Sequence, residues 1–215
     1  YKKVKFNRND ENISKYSNWI QYEFDLENDD INILGISERD KKNRKINILQ
    51  SLNKSKSEIL NIIPNNFTFF KRMSFNKNVI DNNYNTFINN ENVQEKKLDS
   101  IFFGVKEIGE VNINGESILI FDYENFNIED YLKSFNQLTK YRGQTIYSGS
   151  NLNLSEFDVI DFKISKSFDY VTKINDFLIL SNDLKVIQNL ILNYNNRSLI
   201  SQDENFIKFL EFIPK

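Results

Sequence analysis

The sequence predicts an α+β fold, an antiparallel β-sheet with hairpins covered by amphipathic helices. Three observations carry that prediction. Asn114-Gly115 separates two β-rich runs in EVNINGESILIFDYE (Glu110–Glu124), and both residues accept the positive φ that a two-residue hairpin turn demands. Asn175-Asp176 stands in the same place within SFDYVTKINDFLILS (Ser167–Ser181). After each hairpin, helical spacing follows a capping residue. Asn127 precedes Ile128, Tyr131, Leu132 and Phe135, and Asp183 precedes Leu184, Ile187, Leu190, Ile191 and Tyr194. Strands joined by tight turns run antiparallel, and helices interleaved among them are expected over one face of the sheet.

Residues 1–45 form a strand-rich segment. WIQYEFDL (Trp19–Leu26) and INILGIS (Ile31–Ser37) have strand character, and SERDKKNRK (Ser37–Lys45) is a charged loop. The α+β domain covers 46–215 and is expected to be continuous with the first segment. Ile46, Leu49, Leu52, Ile59 and Ile62 or Ile63 fall near helical spacing, and Pro64 ends that stretch because the residue before proline is pushed out of the helical region. Aromatic-rich FTFFKRMSF (Phe67–Phe75) predicts a strand. Helices are expected over Val79–Asn89 and Lys96–Val105. YRGQTIYSG (Tyr141–Gly149) predicts a short strand between glycines, and FDVIDFKIS (Phe157–Ser165) another. The last helix carries Phe206, Phe209, Leu210 and Phe212 and stops at Ile213-Pro214. Gly109 and Gly143 are expected to give backbone freedom where strands begin. Ser181 and Asp183 are expected to start one helix, and Ser198 the final turn, with Leu199 stapled against the last helix.

The only two prolines close LNIIP (Leu60–Pro64) and LEFIP (Leu210–Pro214). Each ends an amphipathic stretch, and after Pro64 an aromatic strand begins. The repetition predicts matching points of a duplicated unit whose second copy opens beyond Lys215. The chain begins at Tyr1 rather than Met, which predicts a processed or excised piece, removal of a signal segment being one way to make it.

Composition excludes several chemistries. With no His and no Cys, thiolate–imidazole zinc sites and Ser-His-Asp or Cys-His nucleophiles are ruled out. The net charge is −2 with both signs interspersed, so no basic stripe follows a phosphate backbone and no nucleic-acid partner is expected. ILIF (Ile118–Phe121) and FLIL (Phe177–Leu180) are the longest apolar runs, far too short to span a bilayer. Ala is absent while Asn, Ile, Lys and Phe abound, the signature of AT-rich codons. Asn runs and the five N-x-[ST] sequons are therefore read as composition, not function.

The order of motifs in the second half resembles a family of uncharacterised bacterial envelope proteins. It runs from IGEV (Ile108–Val111) to YRGQTIY (Tyr141–Tyr147), then NDFLILSNDLKVIQNLI (Asn175–Ile191) and RSLISQDENFIKFLEFIP (Arg197–Pro214). The similarity covers about residues 97–214, with an echo at Ile59–Phe70, and is closest in style to a Bacteroidetes member. It implies a periplasmic or lipoprotein-like module of the cell envelope with a protein partner. It implies neither catalytic residues nor a cofactor.

The candidate residues follow from these readings. Tyr1, Tyr16, Trp19 and Tyr22 are the candidates for an exposed binding surface, because they lie where amphipathic patterning is weakest. Arg142 is a further binding candidate, read either as a carboxylate's partner or as a solvated side chain. A carboxylate-based hydrolase needs no His, and its candidates are Glu110 with Asp158 or Asp161. Ser51 and Lys54 have the helical spacing of a Ser/Lys nucleophile but lack its companion motifs. Asp29, Asp30 and GSNLNLSEFD (Gly149–Asp158) do not form a twelve-residue calcium loop. The expected function is thus a non-catalytic structural or binding module, with a carboxylate hydrolase and an extracellular adhesion or carbohydrate-binding domain as alternatives.

Overall fold

The runs ILIF and FLIL lack polar alternation, the pattern of strands buried on both faces. They lie in β5 (Glu116–Tyr123) and β11 (Phe177–Ser181), which pair with one another at the middle of a seven-stranded antiparallel sheet. The computed structural model describes residues 20–27, 30–37, 45–53, 56–89, 98–150, 152, 154, 157–159, 162–164 and 167–212. Outward from β5 come β4 (Val105–Ile113) and β3 (Phe69–Ser74). Outward from β11 come β10 (Tyr170–Ile174), β7 (Gln144–Ser148) and β6 (Gln137–Tyr141). The sheet is therefore two meanders joined along their last strands, and the predicted α+β class with an antiparallel sheet is observed.

The turns behave as their residues dictate. Asn114 and Gly115 take φ of 55° and 90°, and Asn175 takes 51°, the left-handed values of primed hairpin turns. A third hairpin joins β6 to β7. Arg142 and Gly143 form its turn, with φ of 47° and 87°, so Gly143 serves a turn and Tyr141–Gly149 is the second half of a strand pair.

Among the described residues there are four α-helices: α1 (Lys77–Asn89), α2 (Ile128–Leu132), α3 (Leu184–Asn195) and α4 (Glu204–Phe212). Asn127 caps α2 by accepting from Asp130 N. Asp183 caps α3 by accepting from Lys185 N and Val186 N, and Ser181 Oγ accepts from Asp183 N. Asp203, not Ser198, caps α4, accepting from Phe206 N at 2.9 Å.

Two expected helices are corrected. Residues 46–63 form two single turns of 3-10 helix, η1 (Lys45–Leu49) and η2 (Ile59–Asn61), because the polar NKSKS stretch interrupts the apolar spacing. The helix expected over Lys96–Val105 is, among its described residues, the 3-10 turn η3 (Ser100–Phe102), a turn at Phe103-Gly104 and the start of β4. The apolar residues of its IFFGV stretch suit a strand as well as a helix. FDVIDFKIS is likewise two short paired strands, β8 (Phe157–Val159) and β9 (Phe162–Ile164). Of the two proline endings, Pro64 forms an isolated antiparallel bridge with Leu199, while Pro214 lies outside the described residues. Leu199 is thus engaged by that bridge ahead of η4 (Ile200–Gln202).

The chain divides into two compact units. One comprises Tyr1–Ser51, Asn78–Lys97 and Val159–Asp161. It contains the antiparallel pair β1 (Ile20–Glu27) and β2 (Asp30–Ser37). Within it Asn83 Nδ2 of α1 donates to the carbonyls of Ile48 and Gln50 at 3.0 and 2.7 Å, fixing η1 to that helix. The other unit, Leu52–Lys77, Leu98–Asp158 and Phe162–Lys215, holds the seven-stranded sheet.

That sheet is covered on both faces, not one. On the first face Val111, Ile113, Ile118, Ile120, Ile146, Ile174 and Ile179 form one core with Val186, Ile187, Leu190 and Ile191 of α3 and with Ile59, Ile62 and Ile63 around η2. The residues between them in the strands, Ile108, Leu119, Phe121, Leu178 and Leu180, point the other way and are equally buried. There Phe121 meets Phe102 edge-on at 5.4 Å, and rings run from Tyr123 through Phe126 and Tyr131 to Phe135. Tyr123 Oη donates to the Ile101 carbonyl at 2.6 Å. Burial pushes its hydroxyl pKa well above the usual tyrosine value, and pushes that of Tyr131 to about 12. A short helix and a 3-10 turn close this face, and neither is long enough to show a clear period in sequence.

Candidate functional site

The most unusual chemistry of the sheet sits where β4 leaves its regular register. A bulge between Val105 and Glu107 sets Lys106 apart and places Glu107 directly opposite Asp122 on β5. Two acidic residues facing each other across a ladder repel, and here both are sealed from solvent, each 1% exposed.

The two carboxylates are treated unequally. Glu107 Oε2 accepts from Glu58 N at 3.1 Å and from Ile59 N at 3.3 Å, and Oε1 accepts from Arg72 Nη1 at 2.9 Å. It thus supplies the N-terminal acceptor that η2 lacks in its own sequence, and it ties η2 to β3 through Arg72. Asp122 has far less. Lys106 Nζ approaches Oδ2 at 3.3 Å, an ion-pair contact without hydrogen-bond alignment, and Oδ2 accepts no hydrogen bond. Burial, with Glu107 and Glu58 nearby, outweighs Lys106 and pushes the Asp122 carboxyl pKa up to about 6. The pair can therefore hold a proton close to neutral pH, but neither oxygen pair is open to a substrate.

Gly109, one turn of the pleat further along β4, makes this packing feasible. A Cβ there would lie 3.0 Å from both Cδ1 and Cγ2 of Ile59. Its role is close approach of η2 to the sheet, in the strand interior rather than at a strand start.

The sequence-predicted residues fall elsewhere. Tyr1, Tyr16 and Trp19 lie outside the described residues. Tyr22 is on β1, opposite Gly35. Arg142 is exposed at the β6–β7 turn, where its guanidinium stands 5.9 Å over the Tyr141 ring and its carbonyl accepts from Asn195 Nδ2 at 3.2 Å. Glu110 is bound by Lys71 Nζ at 2.8 Å and by Ser117 Oγ at 3.2 Å. Asp158 belongs to β8 and Asp161 lies outside the described residues. Ser51 takes φ 65° in the turn after η1, which removes the helical spacing assumed for Ser51 and Lys54. Lys54 and Asp29 lie outside the described residues, and Asp30 opens β2. Among the described residues no group of three or more acidic side chains is arranged to hold a metal ion.

A second feature faces solvent. Phe67, Phe70, Phe206 and Phe209 form a chain of ring contacts at 5.4, 6.1 and 6.1 Å. It starts against the core and ends on the outer side of α4, where Phe209 is 50% exposed. Leaving Phe209 half in water forgoes about half of the roughly 1.5–3 kcal/mol that full burial of such a side chain contributes. The helical spacing of Phe206 and Phe209 is legible in the sequence, but not which of the two is left uncovered.

No protein-family model, no curated protein and no solved structure matches the chain. The class defined by its own geometry is an α+β protein built on a seven-stranded antiparallel sheet.

Proposed function

We propose that the chain is a non-catalytic structural or binding module of a bacterial cell-envelope protein, and that it meets a protein partner through the outer side of α4. The exposed ring of Phe209, continuous through Phe206 with the core, carries this reading. The envelope assignment, periplasmic or lipoprotein-like and of Bacteroidetes type, rests on the motif order of residues 97–214. Among the described residues no helix is long and apolar enough to cross a membrane. The buried acids support the non-catalytic reading, since Glu107 spends its oxygens on η2 and Arg72, and Asp122 is enclosed.

A photo-crosslinking residue at Phe209, expressed in the source cell, tests this. A discrete adduct in the envelope fraction is expected, lost on Asn205→Asp, an exposed position one turn earlier on the same side of α4, with the melting temperature unchanged. No adduct, or an adduct in the cytosolic fraction, would overturn it. Turnover of a glycoside substrate abolished by Glu110→Gln would install the hydrolase alternative instead. The adhesion or carbohydrate-binding alternative draws on Arg142 stacked over Tyr141 at an exposed turn. It predicts glycan-induced NMR shifts at both residues.

A further inference from the structure

Three elements converge on one buried carboxylate. Glu107 receives two backbone N–H groups at the start of η2 and the guanidinium of Arg72 from edge strand β3. Opposite it stands Asp122, fully enclosed, with an oxygen that accepts no hydrogen bond. The charged groups facing Asp122 are Lys106 and Glu107 from β4 and Glu58 from the η2 side, with Arg72 reaching in through Glu107. The neighbour from β11 is Phe177, which brings no charge.

We propose that the Asp122–Glu107 pair is a proton-operated latch that sets how firmly η2 is held to the sheet. With a proton on Asp122, Glu107 carries the only full negative charge of the pair and grips Glu58 N and Ile59 N. When that proton leaves, two carboxylates face one another in a site closed to water. Lys106, already 3.3 Å from Asp122 Oδ2 and 39% exposed, offsets only part of that repulsion, and Arg72 becomes shared between two anions. Repulsion from Asp122 then pushes Glu107 away from the N–H groups at the start of η2. Because η2 carries Ile59 into the core beside Ile62 and Ile63, loosening it alters packing along the β3–β4 side of the sheet. The sequence hides this device: KEIGEV reads as an ordinary strand, and only the bulge turns Lys106 out of register and sets Glu107 against Asp122.

The experiment is a carboxyl NMR titration of the full chain combined with hydrogen exchange at the Glu58 and Ile59 amides. The Asp122 carboxyl should titrate with a midpoint of about 6. Opening at the two amides, corrected for intrinsic base catalysis, should rise about tenfold across that midpoint. Asp122→Asn should make the opening independent of pH. Lys106→Gln, at a partly exposed position, should move the midpoint upward and serves if the first variant does not fold. A midpoint in the ordinary range near pH 4, or opening at Glu58 and Ile59 that ignores the midpoint in the parent and in Lys106→Gln, would overturn the latch.

Discussion

The two central hairpins share one plan and put it to different uses. β4–β5 and β10–β11 each turn on an Asn in the left-handed region and each lead into a helix capped by Asn127 or Asp183. They meet along β5 and β11, where Ile120 faces Ile179. At its far end β11 closes with Ser181, whose hydroxyl donates to the Ser117 carbonyl at 3.1 Å. The corresponding end of β4–β5 carries the bulge and the Glu107–Asp122 pair. One hairpin buries only neutral hydrogen-bonding groups within its packing, and the other adds a buried charge to the same packing. The comparison teaches that the apolar interior, not the charge, supplies the common stability, while the charge makes one hairpin responsive to pH and to its neighbours η2 and β3.

The largest effect expected is at Glu107. Glu107→Ala strands Arg72 and two N–H groups and should cost about 3–5 kcal/mol in denaturant unfolding. It should also lower the Asp122 midpoint in the same titration, since a neighbouring negative charge is gone. Nearly as large, Ile120→Ala and Ile179→Ala should each cost about 2–5 kcal/mol and combine non-additively, because the two side chains share one cavity. A clear inequality between them would break the view that both hairpins form one core.

Asp122→Asn comes next, and its sign is opposite. The folded carboxyl titrates at about 6 against 3.8 in the unfolded chain. Between those values the folded protein retains a proton that the unfolded chain has released. Stability therefore falls as pH rises through this window and stays reduced above it, by up to about 3 kcal/mol. Asp122→Asn should be near neutral at pH 4 and more stable than the parent at pH 8 by up to that amount, measured by urea unfolding at both pH values.

Helix caps sharpen the comparison at a smaller scale. Asp183→Ala removes two accepted N–H bonds from α3, which packs on the core, and should cost about 1–2 kcal/mol. Asn127→Ala at the five-residue α2 should cost less, about 0.5–1 kcal/mol by thermal melting. Smallest of all, Glu129 on α2 is fully exposed. Lys173 lowers its carboxyl pKa through a hydrogen bond at 2.7 Å, so this contribution is lost as pH falls through the lowered value. Lys173→Gln should leave the melting temperature unchanged in high salt, where exposed pairs are screened.

By itself the sequence determined what depends on neighbours along the chain. Asn114-Gly115 and Asn175-Asp176 specified hairpins, Asn127 and Asp183 specified helix starts, and ILIF and FLIL specified strands of the central sheet, because turn φ, capping and side-chain alternation are local properties. The tertiary structure alone decided the rest. It set where η2 docks, since Ile59, Ile62 and Ile63 join the core and Gly109 lets η2 approach. Glu107 met Asp122 only because a bulge shifted one strand by a residue, and Glu110, the acid singled out by pattern, met Lys71 instead. Phe209 reads as core from its spacing yet stands in solvent, since spacing shows which residues share a helix face but not whether that face is covered.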